Sequence, residues 1–284
     1  MSSNTVRRRA ASVGPAIGHL GLWVWIVAST IPLVFILVTS IKSKNEVLTI
    51  PPSWSFSPTF SNFSQVWLGA GDNPPFRGLV VHSVIITGSI TILTVVVGVM
   101  AAYGLTFRSL RPRKFLSSWI LSTYVFPSIV TIIPVFFLES RLHLIGTYPG
   151  VIIPEISFNL PIVIWIVRRG VQEIPLEIEE AAVVDGASRW TVLWRVVLPL
   201  AGPVIATASI ITAILTWNEF IYAVSLTSNA TETVPIAVLG FTGMYGTQWG
   251  QISAASLIIS APIVLLALIL RRRLVSGLTF GAVK

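Results

Sequence analysis

Long apolar stretches, separated by short polar segments, dominate this sequence. Each approaches or exceeds the roughly 20 residues that a helix needs to cross the hydrocarbon core of a bilayer. They cover about residues 20–40, 80–106, 116–138, 148–167, 202–224 and 254–270. The pattern therefore predicts an all-α polytopic membrane protein with six transmembrane helices.

The composition agrees with this prediction. Apolar residues make up 54% of the chain and charged residues only 11%, whereas soluble domains carry about 25% charged residues. An ordinary soluble protein is therefore excluded. The chain has no cysteine, which excludes disulfides, thiolate metal sites and a cysteine nucleophile.

The basic residues predict an orientation. If the N-terminus is cytoplasmic, fifteen of the nineteen Lys and Arg residues lie inside, at positions within 7–9, 108–114, 168–195 and 271–284. The other four are Lys42, Lys44, Arg77 and Arg141. By the positive-inside rule both termini are cytoplasmic in a multi-pass protein of the cell membrane. The net charge of +8 is thereby explained through topology and the lipid bilayer, with no patch left for nucleic acid.

The longest polar interruption in the second half is residues 173–199, EIPLEIEEAAVVDGASRWTVLWRVVLP. Pro175 suits the first turn of a helix and Gly186 suits its stop, so a helix of about 11 residues is predicted over 175–185. Ser188 can cap a second helix that ends before Pro199. We call residues 173–199 the elbow.

The elbow also resembles a known motif. Glu180-Ala181-Ala182, Gly186, Val196 and Leu198-Pro199 have the spacing of the EAA loop of ATP-binding-cassette (ABC) importer permeases, with Val196 where isoleucine is commoner. Ala101-Ala102-Tyr103 before a basic turn is similar to the same family. The alternative is an ordinary amphipathic surface helix with a glycine stop.

The resemblance implies a type I ABC importer permease fold in which the elbow is the coupling helix, seated in a cleft of a cytoplasmic ATPase subunit. It implies as partners a second permease, two ATPase subunits that carry ATP and Mg, an external solute-binding protein and a sugar substrate. The expected coupling residues are Glu179, Glu180, Ala181, Ala182, Asp185, Gly186 and Ala187.

The chain itself carries no motif for a cofactor or for catalysis. No lysine follows a glycine, so a phosphate-binding loop is impossible and ATP hydrolysis belongs to another chain. The three histidines have no metal-ligand spacing. We expect a transport subunit with no cofactor and no metal, and not an enzyme.

Polar residues within the apolar runs are candidates for the solute pathway. Glu155 and Asn159 lie in the fourth run, where an ionisable group marks function by default; Glu155 could equally be an interfacial residue. Trp217-Asn218-Glu219-Phe220 resembles a segment of the carbohydrate-uptake subgroup, as does the end of the chain, Gly277–Lys284. Trp217 could stack on a sugar that Asn218 and Glu219 bind, or these residues could shape the wall while the partner permease holds the sugar.

We therefore expect an N-terminal cytoplasmic arm (1–19) and one transmembrane permease domain (20–284) that includes the elbow and a cytoplasmic tail (271–284). The expected function is that of a permease subunit of an ATP-driven disaccharide or oligosaccharide importer. A polyol phosphate or another non-sugar solute is one alternative, and a stand-alone channel or secondary transporter is another.

Overall fold

The computed structural model describes residues 4–69, 74–106, 112–243 and 246–279. The first seven helices are α1 Asn4–Ser40, α2 Lys44–Val47, α3 Ser61–Leu68, α4 Phe76–Gly104, α5 Arg113–Thr123, α6 Ser128–Arg141 and α7 Tyr148–Gln172. The next six are α8 Leu176–Val184, α9 Arg189–Val192, α10 Leu198–Leu200, α11 Gly202–Trp217, α12 Ile221–Leu226 and α13 Val234–Ala237. A π-helical turn, Leu193–Val197, joins α9 to α10, and a 3₁₀ turn, Val238–Phe241, follows α13.

A short antiparallel ribbon, β1 Thr242–Gly243 with β2 Gly246–Thr247, precedes the last helix, α14 Trp249–Thr279. In hydrocarbon a helix satisfies its own backbone hydrogen bonds, whereas an open strand does not. The all-α prediction is confirmed for the described part of the chain.

Four helices are long and apolar enough to cross a membrane unbroken: 18–40 within α1, α4, α7 and 249–269 within α14. Two bent pairs complete the set if each counts as one span. The first joins 114–123 to α6 at 87°, and the second joins 189–200 to α11 at 77°. With the bent pairs the structure has the six spans expected from the sequence, and six spans place both ends of the chain on the same side.

The third apolar run, 116–138, contains Pro127, and the third span is interrupted there. It breaks between α5 and α6 because Pro127 precedes α6 with an extended backbone, φ −63° and ψ 139°. A proline disfavours helical geometry in the residue before it, and here α5 ends at Thr123, before Phe126.

Both ends of the chain are more helical than an arm and a tail suggest. α1 begins at Asn4 and α14 runs to Thr279. Arginine, which occurs three times in each segment, is among the stronger helix formers. The basic turn at 107–111 and the final residues 280–284, which contribute to the predicted orientation and to the C-terminal resemblance, lie outside the described residues.

The described residues form two compact units. In the first, which takes residues from 1–71 and 241–258, the Asn62 side-chain amide donates to the backbone oxygens of Ser40 and Lys42 at 2.9 and 2.8 Å. The second unit takes residues from 72–240 and 259–284 and holds the elbow. In that unit α4 and α7 pack along buried Val163 and Val167, both 0% exposed.

A glycine sets the spacing between α4 and α7. A Cβ atom added at Gly98 would lie 2.5 Å from Cγ1 of Val163, closer than any real contact. Small residues commonly allow membrane helices to approach in this way. The two helices therefore depend on the missing side chain of Gly98.

We expect Gly98→Ala to lower the free energy of unfolding by about 1–3 kcal/mol, because the added methyl group forces α4 and α7 apart. The measurement is thermal unfolding of the purified chain in detergent. Gly88→Ala, on the same helix and with no neighbour within 4 Å, is the matched control. Equal melting temperatures for the two variants would show that Gly98 does not set the spacing.

Candidate functional site

The first half of the elbow is the nine-residue helix α8. Pro175 stands just before it, with φ −56° and ψ 130°, and the first turn carries Glu177 and Glu179. Acidic side chains are favoured at the positive N-terminal end of a helix. The observed helix is two residues shorter than predicted, since Pro175 and Asp185 are its caps and not helical residues.

Gly186 ends α8 in a Schellman motif. The N–H of Ala187 donates to the carbonyl of Ala182 and the N–H of Gly186 donates to that of Val183, both at 3.0 Å. Gly186 has φ +85°, a left-handed conformation that costs other residues about 1–2 kcal/mol. An added Cβ would meet no atom within 4 Å, so the backbone conformation, and not close packing, requires glycine here.

The second half of the elbow begins with the predicted cap. The Ser188 hydroxyl accepts a hydrogen bond from the Thr191 N–H at 3.2 Å, at the start of α9. The predicted end before Pro199 is wrong, because helical structure continues through the π-helical turn into α10, which ends at Leu200. Pro199 lies in α10, directly after the π-helical turn.

The predicted coupling residues separate into two faces. Ala182 and Ala187 are half-buried and pack against the core of the second unit. The other face consists of exposed residues, of which Val184 is 86% exposed. It comprises Glu177, Glu180, Ala181, Val183, Val184, Asp185 and Gly186. We call these seven residues the outer face of the elbow; it combines apolar and acidic groups.

Glu179 connects the elbow to a membrane helix. Its half-buried carboxylate accepts a hydrogen bond from the hydroxyl of Tyr103 and is attracted by the guanidinium of Arg189. Tyr103 is 5% exposed, in the last turn of α4. Burial raises the pKa of the Glu179 carboxyl, while Arg189 and the Tyr103 hydrogen bond oppose that rise. We call the contact between Tyr103 and Glu179 the anchor.

Glu155 and Asn159 are both buried on α7, at 2% and 3% exposure. The Asn159 amide donates to the backbone oxygen of Glu155 at 2.9 Å. One oxygen of the Glu155 carboxyl, Oε2, has no hydrogen-bond partner among the described residues. The carboxyl group of Glu219 lies close enough to act on it electrostatically. The structure thus brings Glu155, Asn159 and Glu219 together, and Glu155 is buried within the protein.

The segment Trp217–Glu219 lies at the break between α11 and α12, where its side chains make structural contacts. Trp217 is 6% exposed and its indole N–H donates to the Ile259 carbonyl at 3.0 Å. The exposed Asn218 donates to the Ile214 carbonyl at 2.7 Å. Both oxygens of Glu219 accept N–H groups of the first turn of α12, at 2.9–3.1 Å. Trp217 is thus buried in this structure, and a pathway role for all three residues stays a prediction.

The comparisons with known proteins identify the family. The family described as "Binding-protein-dependent transport system inner membrane component" matches residues 94–279, which is more than half of the chain. The chain belongs to this family. It is thus a multi-pass inner-membrane permease of an ABC transport system, a transport component and not an enzyme.

Two curated relatives and one solved structure show how far the likeness extends. The permease is 35% identical over 259 residues to a trehalose transport system permease of Mycobacterium tuberculosis, covering 89% of this chain and 92% of the relative. It is 30% identical over 255 residues to a trehalose/maltose transport system permease of Thermococcus litoralis, covering 89% and 91%.

The solved structure is that of a bacterial ABC transporter involved in the import of the acidic polysaccharide alginate. The TM-score is 0.76 at 20% identity, and the match covers 96% of the permease and 98% of that chain. At this identity the likeness concerns the fold, which is that of an ABC importer permease.

Sequence reasoning missed the partners that hold the elbow in place. The motif Ala-Ala-Tyr marks Tyr103 only as the end of a helix before a basic turn, and nothing in the spacing connects it with Glu179, 76 positions later in the chain. The sequence did not identify Glu139 either, which directly follows the third apolar run and is 4% exposed. The sequence signal for Glu139 is its position as an acidic residue directly at the end of an apolar run.

We expect Tyr103→Phe to weaken the anchor, because it removes the hydroxyl that Glu179 accepts from and leaves that carboxylate partly unsatisfied. The loss should be about 1–3 kcal/mol in the free energy of unfolding, the range for a hydrogen bond to a charged group. The measurement is thermal unfolding of the purified permease. Tyr148→Phe is the control, since the Tyr148 hydroxyl makes no hydrogen bond within the described residues. A Tyr103→Phe variant as stable as this control would contradict the anchor.

The cost of a substitution at Gly186 should depend on how well the new residue adopts the left-handed backbone conformation, and not on the volume of its side chain. We expect Gly186→Asn to be mild, because asparagine tolerates the left-handed region, and Gly186→Val to cost about 1–2 kcal/mol. Uptake and ATP hydrolysis, measured together on the assembled transporter, would report the effect. Gly78→Ala, at an open helical position, is the control. Full uptake by Gly186→Val would mean that the turn geometry is dispensable for coupling.

Proposed function

We propose that the permease is one of two permease subunits in an ATP-driven importer for a sugar of disaccharide or oligosaccharide size. The two curated relatives support this substrate class, since both are permeases of disaccharide transport systems by name and both align over about nine-tenths of this chain. In this assembly the second permease completes the translocation pathway, and an external binding protein delivers the sugar.

The observation that carries the proposal is the outer face of the elbow. It is a helical surface with Val184 86% exposed and Val183 54% exposed, next to the acidic groups of Glu180 and Asp185. An exposed apolar patch rimmed by polar residues marks a site of interaction with another protein. Its chemistry fits a cleft with an apolar floor and basic groups at the rim, and we assign that cleft to an ATPase subunit.

The anchor gives the elbow a route for transmitting force. When the ATPase dimer closes on ATP and Mg, it draws the two elbows of the importer together. The contact between Glu179 and Tyr103 carries that displacement to the end of α4, and the membrane bundle opens outward. Hydrolysis and separation of the ATPases reverse the change. ATP acts only through a contact that differs between the two states, and this elbow supplies it.

The alternatives have less support. A polyol phosphate would need basic residues along the pathway. The fourth apolar run (148–167) and the fifth (202–224) contain no lysine or arginine. A stand-alone channel or secondary transporter would leave the outer face without a partner, and membership in a family of binding-protein-dependent systems speaks against it.

The test of coupling is charge reversal on the outer face. We expect Glu180→Lys to reduce co-purification of the ATPase in mild detergent and to abolish sugar-stimulated ATP hydrolysis, because a like charge placed against a basic rim costs several kcal/mol. Glu180→Gln, which removes the charge without reversing it, should have a smaller effect.

Glu232→Lys makes the same charge change outside the elbow and is the control. If Glu180→Lys retains its ATPase and its stimulated hydrolysis as fully as Glu232→Lys does, the elbow is not the coupling surface. A permease that purifies alone and still moves sugar would remove the ATPase from the mechanism altogether.

A further inference from the structure

A cavity of about 360 Å³ lies among α6, α7 and α12, and neither Glu155 nor Glu219 lines it. Its volume falls at the lower end of the roughly 300–1,000 Å³ of typical small-molecule sites. By the orientation that the basic residues predict, the end of α6 and the start of α7 lie at the outer side of the membrane. The cavity is thus placed where a solute arriving from outside would be received.

Two helix breaks border this cavity. Phe126, at the break between α5 and α6, and Tyr222, in the first turn after the break between α11 and α12, are among its lining residues. Irregular backbone at membrane depth is tolerated where it lines a cavity. Discontinuous helices often form the substrate sites of transporters, and here two of them meet at one site.

Glu139 brings an unsatisfied acceptor to the cavity. The residue is 4% exposed and its oxygen Oε2 is buried, with no hydrogen-bond partner among the described residues. A Cβ placed on Gly150, in the first turn of α7, would be 3.2 Å from that oxygen, so the carboxylate faces the favourable N-terminal end of a 25-residue helix. The nearby Gly150 N–H already donates to the Thr147 hydroxyl at 3.2 Å, so it is not a donor for Glu139. A buried carboxylate oxygen without a donor is costly, and a bound hydroxyl group would remove that cost.

Two aromatic rings line the same cavity and give it an apolar wall beside the carboxylate. Phe158 and Tyr222 both line it, with ring centroids 6.1 Å apart. The Tyr222 hydroxyl is held by that of Thr131 at 2.7 Å, and the exposed Ser157 adds a further hydroxyl. Sugars combine C–H-rich faces, which pack against the negative face of an aromatic ring, with hydroxyl groups that donate to carboxylates.

We propose that this cavity is a binding subsite for one or two units of a neutral sugar, in which Glu139 accepts sugar hydroxyls while Phe158 and Tyr222 form the stacking wall. The proposal rests on the proposed function of the permease as a sugar importer. The lining contains no lysine, arginine or histidine, so Glu139 disfavours solutes that carry phosphate, sulfonate or carboxylate groups. The subsite thus selects for charge as well as shape.

The first test measures uptake by the complete importer in proteoliposomes, over a panel of neutral disaccharides and their carboxylated or phosphorylated analogues. For the transported sugar we expect Glu139→Gln to raise KM about tenfold with little change in Vmax, since a charged acceptor becomes a neutral one. It should also weaken the discrimination against acidic analogues. Phe158→Leu, which keeps an apolar side chain but removes the ring, should raise KM about fivefold.

Glu232→Gln is the control for Glu139→Gln, because it neutralises an acid that does not line the cavity. Comparing KM with Vmax separates binding from assembly: a merely structural role for Glu139 would lower Vmax through loss of folded importer and leave KM and the charge preference unchanged.

The second test uses the absence of cysteine from the chain. In an importer whose other subunits also lack accessible thiols, Ser157→Cys places one thiol in the cavity. Sugar at about ten times its KM, without the binding protein, should slow labelling of that thiol by a maleimide about tenfold through occupancy. Ser55→Cys, an exposed serine in the other unit, is the control and should show no protection.

The outcomes distinguish failure of the proposed function from failure of the proposed subsite. If the wild-type importer takes up no sugar, the proposed function fails and the subsite fails with it. If it takes up sugar while Glu139→Gln and Phe158→Leu keep the wild-type KM and sugar does not protect Ser157→Cys, the importer carries sugar but this cavity is not its site. If Glu139→Gln does not assemble, Phe158→Leu and the labelling of Ser157→Cys decide the question.

Discussion

A helix in hydrocarbon must satisfy every backbone N–H and C=O group from within its own segment. Much of this permease can be understood from the places where that rule is broken. One such place is Pro127 in the third span, and another lies between Trp217 and Ile221, after the end of α11. At the second break the carboxylate of Glu219 takes over the role of the missing carbonyls and accepts three backbone N–H groups of α12. Residues beside both breaks line one cavity. The constraint that limits irregular backbone to such places therefore also brings the residues of the proposed subsite together.

The elbow obeys a different constraint, since most of the residues of α8 are exposed and polar groups are frequent among them. Its fixed position comes from a few directed contacts: the Schellman turn at Gly186, the Ser188 cap, and the hydrogen bond between Tyr103 and Glu179. Ala182 and Ala187 turn inward while Glu180 and Val184 turn outward. One short helix therefore holds to its own chain through one face and offers the other to a partner, as a coupling element requires.

The sequence predicts the architecture well because apolar length, glycine stops and serine caps act locally. The six spans, the stop at Gly186 and the cap at Ser188 all follow from residues close together in the chain. What it could not predict depends on distant neighbours. The contact of Tyr103 with Glu179, the burial of Trp217 against Ile259 and the cavity beside Glu139 each join segments that only the packing of helices brings together. Pro127 lies inside an apolar run, and composition alone does not distinguish a kinked span from a broken one.

The contact between Gly98 and Val163 has a mechanical consequence. With no side chain at Gly98, α4 and α7 pack closely along their length, and the anchor attaches the elbow to the end of α4. α4 has 29 residues, about 43 Å at 1.5 Å per residue. A tilt of roughly 5° at the elbow would therefore displace the far end by about 4 Å over that length, which is more than the diameter of a water molecule. A stiff pair of helices turns a small rotation of the elbow into a displacement at the opposite end of α4.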